Sequence, residues 1–201
     1  MRTPPLISVI LLVGLAPGCA VHSAKPVEVL DERTGMTLGV LKEPLEFVPL
    51  PGNAGNAVPM AQRGTSLASL GTTFAYLGPV EWNRAGTFSY GLWMHIAPGN
   101  GKPVGDIRAA GSVTVVLDDG PITLSPMEAP KGARDGYEAA ASWGQTAHFD
   151  ATIGMFRRMA ASHTLELDVR ATDGTIIKFA PTLDTHAALM SYLRSRELIA
   201  D

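Results

Sequence analysis

Between Thr87 and Ile96 polarity alternates along the chain. Phe88, Tyr90, Leu92, Met94 and Ile96 fall on one side of an extended backbone, and Thr87, Ser89, Gly91, Trp93 and His95 fall on the other. A period of two predicts a β-strand, because successive side chains of a strand point to opposite faces. Leu165, Leu167 and Val169 repeat the pattern against Glu166, Asp168 and Arg170, and a further strand is expected from Thr175 to Ala180 after Thr172-Asp173-Gly174. Register selects the turn between them. A two-residue loop would put Val169 opposite Lys178, whereas a three-residue loop with Gly174 in the left-handed region puts Val169 opposite Ile177 and Leu167 opposite Phe179.

A hairpin from Ser112 to Leu124 turns around Asp118-Asp119-Gly120-Pro121, with Leu117 facing Ile122 and Val115 facing Leu124. Another runs from Val27 to Val40 around Asp31 to Gly35. Leu67 to Leu77 and Trp143 to Phe149 are weaker strands, interrupted by Gly and Ala. Two short helices are expected. Ala151 to Ala160, capped by Asp150, places Ile153, Phe156 and Ala160 on one face, with Arg157 and Arg158 turned to water. The second runs from Thr185 to Leu198, capped by Asp184 or Thr185, with Leu189, Tyr192 and Leu193 as its stripe. Stretches 49–64, 98–111 and 125–136 are rich in Gly, Pro and Asn and predict loops. The pattern predicts a mainly β fold, an antiparallel β-sandwich or curved sheet with the two helices over an open end or face. A small α+β unit is the alternative.

The N-terminus follows other rules. Arg2 precedes a ten-residue apolar run, Leu6 to Leu15, which at about 1.5 Å per residue covers only half of a ~30 Å hydrocarbon core. That length suits a cleaved signal peptide. Leu15-Ala16-Pro17-Gly18-Cys19-Ala20 follows, and it resembles the lipobox of bacterial lipoproteins, with small residues before an obligatory Cys. The usual Leu three residues before the Cys is here Ala16, with Leu15 one position further out. Cys19 is the only cysteine, and a thiolate is the nucleophile that takes a diacylglyceryl group as a thioether. The resemblance implies cleavage before Cys19, acylation of the new amine with palmitate-like chains, and an anchor far stronger than one chain provides. Ala20 in place of Asp implies the outer membrane over inner-membrane retention. The alternative is plain secretion, with cleavage after Ala20 or Ala24. The expected organisation is signal peptide 1–18, lipidated tether 19–26 and one β-rich domain 27–201. Within the tether, Val21 to Pro26 spans about 20 Å when extended.

Asp31-Glu32-Arg33-Thr34-Gly35, Pro44-Leu45-Glu46-Phe47, Leu77-Gly78-Pro79-Val80-Glu81-Trp82-Asn83-Arg84 and the Tyr90 to Met94 strand are together similar to a group of uncharacterised proteobacterial envelope lipoproteins. This likeness implies a cell-envelope location, facing the periplasm, and assigns no activity.

Composition narrows the partners. Sixteen Lys and Arg against nineteen Asp and Glu give a net charge of -3 over 201 residues, with no basic run to neutralise phosphates, so no nucleic acid is expected. There is no Gly-x-Ser-x-Gly nucleophile elbow, no phosphate loop, no dinucleotide fingerprint and no His-Glu-x-x-His. The five His residues are scattered, and His148 with Asp150 is the only pair spaced to share a strand face, where Asp150 is better explained as a cap. No catalytic residue, metal or cofactor is therefore assigned, and the protein is expected not to be an enzyme. The alternative of a hydrolase with an unrecognised site stays open.

Two surfaces are candidates for binding. Trp93 and His95 flank Gly91 on the second face of their strand, an arrangement that suits a flat sugar or peptide ring, unless that face is covered and Trp93 is core. Trp82, Asn83 and Arg84 sit in an expected turn, which is either an interaction patch or an ordinary turn. Asp118 and Asp119 are read as turn formers. The leading expectation is a lipid-anchored envelope protein of non-enzymatic type, with a protein-interaction or assembly role at the outer membrane. A glycan- or peptide-binding module built on the aromatic platform is the alternative.

Overall fold

The computed structural model describes residues 25–51, 72–99, 103–182 and 184–196. The apolar run, Cys19 and its neighbours, residues 67–71 of the weak strand and the end of the second expected helix lie outside the described residues.

The chain is mainly β. Its strands are β1 (Pro26–Asp31), β2 (Met36–Leu41), β3 (Leu45–Pro49), β4 (Phe74–Arg84), β5 (Thr87–Ala97), β6 (Val113–Leu117), β7 (Ile122–Thr123), β8 (Pro126–Met127), β9 (Gln145–Asp150), β10 (Leu165–Arg170) and β11 (Ile176–Pro181). Helix α1 (Ile153–Ala161) lies between β9 and β10, and α2 (Thr185–Ser195) follows β11. The pairings form one antiparallel sheet in the order β7-β6-β10-β11-β3-β4-β5-β9-β8, with β2 also on β4 and β1 on β2. The sheet curls into a half-barrel. Its two ends approach each other through one short segment. Ile122 and Thr123 pair with β6, and Pro126 and Met127, a few residues on, pair with β9.

Alternation now has a physical referent. Leu45, Leu77, Met94 and Ala147 meet across four strands on the inner face, and Val115, Leu167 and Phe179 continue that face through β6, β10 and β11. All are buried. Phe156 of α1 packs edge-on against both Tyr90 and Tyr192, which joins the helices to the sheet. The β10–β11 register is Val169 on Ile177 and Leu167 on Phe179, with Gly174 at φ +82, so the three-residue turn is present. The β1–β2 hairpin also forms as read. Its Asp31 carboxylate accepts from the Arg33 amide and the Thr34 hydroxyl, and Gly35 has φ +65.

Other expectations need correction. Val115 pairs with Ile122, not Leu124, so the β6–β7 hairpin is shifted by two residues. Pro121 has no N–H to extend the ladder, and the Asp118 carboxylate is instead drawn to the His163 and Thr164 amides. Asp150 does not cap α1: it ends β9, with its amide on the Ser125 carbonyl, and the Thr152 hydroxyl caps the helix by accepting from Met155. Asp184 caps α2. Trp82, Asn83 and Arg84 are not a turn but the last residues of β4, whose Gly78-Pro79 pair hid the strand from pattern reading. The turn is Ala85-Gly86, both at positive φ, secured by the Asn83 side chain on the Gly86 amide. β3 falls where the sequence pattern predicts no strand.

Candidate functional site

Residues of opposite parity to the core form a second layer on the outside of β4, β5 and β9. Trp93 pairs across to His148 and Gly78, and His95 to Thr146 and Tyr76, so these residues share the outer face. That face is covered. Tyr137, carried by the segment between β8 and β9, lays its ring 5.1 Å from the Trp93 ring and over Gly78, where any Cβ would collide with it. Its hydroxyl donates to the Pro79 carbonyl and accepts from the Leu41 amide, both at 3.0 Å. It therefore continues the β2–β4 ladder past the Val40–Val80 pair, where the strands part. Gly136 fits against Val40 and Val80, and Gly144 against the His95 ring.

The structure therefore places Trp93 and His95 at 0% exposure and Trp82 at 1%. No flat ring can lie on Trp93, because the Tyr137 segment already does. These three residues are in one layer, while Arg84 is apart from them at the exposed end of β4, donating to the Lys131 carbonyl.

The layer is polar in an unusual way for buried side chains. Trp82 Nε1, Trp93 Nε1, His95 Nε2 and His148 Nε2 have no hydrogen-bond partner. His95 makes a bond on its other side, between Nδ1 and the Thr146 hydroxyl at 2.9 Å, and burial lowers its pKa. His148 lies against the Trp82 ring and 3.7 Å from Asp135, and burial also lowers its pKa, with the Arg108 cation adding to the effect and Asp135 opposing it. Both rings are thus favoured as neutral imidazoles.

Beside this layer is a groove of about 430 Å³, lined among others by Arg108, Met127, Glu128, Thr146 and His148. It exists because β8 is short. β8 pairs only with His148 and Phe149, so among the described residues no strand lies on that flank of the first half of β9. Arg108 caps the edge there, donating from Nε and Nη2 to the Thr146 carbonyl at 3.2 and 2.8 Å. Trp143, in the turn just upstream of β9, is 59% exposed. Among the described residues no three His, Cys, Asp or Glu side chains cluster as a metal site.

A second polar cluster went unread in the sequence. Arg196, just past α2, lies over Gly39 and donates to Glu28 at 2.6 Å and to the Val27 carbonyl, with Glu81 at 3.7 Å. Glu81 is 4% exposed, and burial raises its pKa against the lowering pull of Arg196. Gly39 is the only local signal for this contact, since a Cβ there would overlap the guanidinium. The cluster fastens α2 to β1 and β2.

No protein-family model, no curated protein and no solved structure matches the chain. Among the described residues no helix is long and apolar enough to cross a membrane.

Proposed function

We propose that the protein is a lipid-anchored envelope protein, held at the periplasmic side of the outer membrane through Cys19, whose folded part docks an extended segment of another envelope protein. It acts by binding, without chemistry of its own. The observation that supports docking is the groove beside the unpaired half of β9, with exposed Trp143 upstream and Arg108 on the strand edge. Trp and Arg are the side chains that most often anchor protein interfaces, and a strand edge held only by Arg108 suits an extended peptide that displaces Arg108 from the Thr146 carbonyl. A peptide fits this reading better than a glycan, since the Trp93 and His95 rings that would stack a sugar are sealed beneath Tyr137.

Two measurements test it. Cys19→Ser is expected to release the protein from membranes and abolish labelling by a clickable fatty acid, and a variant that keeps its mass and stays in the detergent phase refutes the anchor. A photo-crosslinking residue in place of Glu128 is expected to give one discrete adduct in intact cells, lost on Arg108→Ala. Adducts that ignore Arg108 refute docking in the groove.

A further inference from the structure

One end of the sheet is unlike the rest of the surface. Register carries Leu30 of β1 to Thr37, Asn83 and Phe88, in a single row across four strands. At about 4.8 Å between neighbouring strands, Leu30 and Phe88 stand roughly 14 Å apart. They are 60% and 52% exposed, beyond the reach of the helices that cover the next rows inward. Thr37 and Asn83 stand between them in the row, so the tip presents two separate apolar points of contact.

The same tip collects cations. Arg33, in the β1–β2 turn, reaches the Gly132 carbonyl, and Arg84, at the end of β4, reaches the Lys131 carbonyl. These bonds bring Arg33, Arg84 and Lys131 together from segments far apart in sequence, on the outer side of the tip, with Leu30 and Phe88 on the inner side. In the turn, Asp31 is buried, accepts from the Arg33 amide and the Thr34 hydroxyl and lies 3.9 Å from the Arg33 guanidinium, and Glu32 is exposed, so these three cations face two carboxylates. A local basic excess on a chain of net -3 is complementary to an anionic surface.

We propose that this tip, the β1–β2 and β4–β5 turns with Leu30 and Phe88, rests on the anionic phospholipid surface, pressing those two side chains into the interface while Arg33, Arg84 and Lys131 meet headgroup phosphates. The proposal rests on the lipid-anchored reading, and the distances agree with it. The six residues from Ala20 to Lys25 reach about 20 Å when extended, and β1 covers about as much again from Pro26 to the tip. Pro26 is the end of β1 away from the tip, so an anchor at Cys19 puts the tip on the same bilayer when the tether runs extended back alongside β1. Docking would fix the orientation of the protein and turn the groove beside β9 in a set direction.

The test uses the whole acylated protein carrying Phe88→Trp, in vesicles of phosphatidylcholine and phosphatidylglycerol in equal parts, some acyl chains being brominated. Flotation reports the anchor, and quenching of the emission gained over wild type reports the tip. Quenching is expected, and Arg33→Gln or Arg84→Gln should each shift the docked-to-undocked ratio roughly fivefold towards undocked. Wild-type melting behaviour in both variants would show that the fold is intact. Protein that floats without quenching overturns the tip proposal and leaves the anchor standing, whereas protein that fails to float overturns both. A crosslink from position 88 to a protein, with no quenching, assigns the tip to a protein partner and likewise overturns it.

Discussion

Gly174 occupies φ +82 with nothing within 4 Å of the position a Cβ would take, so a side chain there meets no neighbour and only the backbone resists it. A β-branched residue at a left-handed φ costs about 1–3 kcal/mol. Gly174→Val is therefore expected to lower the melting temperature by clearly more than Thr172→Val in the same turn. Equal losses in thermal melts would show that the turn is built otherwise. Trp93 poses the opposite case, a residue held by contacts alone. It is fully buried between Tyr137 and the His95 ring, so Trp93→Ala should cost about 3–5 kcal/mol through the cavity it leaves. Denaturant unfolding measures this, and a loss below about 1 kcal/mol would mean that the Tyr137 segment does not cover the ring.

At the level of elements, Asp118 ties the β6–β7 turn to the turn between α1 and β10. Its carboxylate is held down to about 2 by the Thr164 hydroxyl first, and then by the His163 amide, the Thr164 amide and Ser162. A carboxyl whose pKa is lower in the folded state stabilises at pH values above its unfolded pKa near 3.8, and that contribution disappears as pH falls towards about 2. Asp118→Asn should therefore lower the melting temperature at neutral pH, and the gap to wild type should close between pH 3.8 and about 2. A gap that persists unchanged at the acid end would mean that the ionised carboxylate is not what joins the two turns. Asp119 adds a two-pronged contact with Arg158 of α1. The residues read as turn formers thus also connect segments distant in sequence, which explains why the hairpin register moved.

Across the whole molecule, the Tyr137 hydroxyl does what no strand does, satisfying Leu41 and Pro79 where β2 leaves β4. Tyr137→Phe keeps the ring over Trp93 and removes only the hydroxyl, leaving two buried backbone groups unsatisfied. The expected cost is about 2–4 kcal/mol, and hydrogen exchange at the Leu41 amide should speed up before global unfolding. Exchange at Leu41 that matches wild type would place the bridging bond elsewhere.

What the sequence determined by itself was local. Alternation fixed β5, β10 and β11 and the faces they bury, and the turn chemistry of Asp31 to Gly35 and Thr172 to Gly174 fixed two hairpins, because a strand's faces and a turn's φ depend on a few adjacent residues. The lipobox-like run is equally local, and the anchor proposed from it rests on those few residues alone. The tertiary structure alone decided the rest. Strand β4 looks broken because Gly78-Pro79 is a poor strand pair, yet Gly78 makes room for Tyr137, whose hydroxyl takes up the Pro79 carbonyl where β2 leaves β4. Trp93 and His95 were open to two readings until a segment more than forty residues away lay across them. Leu30, Phe88, Arg33, Arg84 and Lys131 became a single tip, and Arg196 a partner of Glu81, only through pairing between distant segments. Periodicity records which face a residue takes but not what comes to cover that face, since covering is set by contacts far apart along the chain.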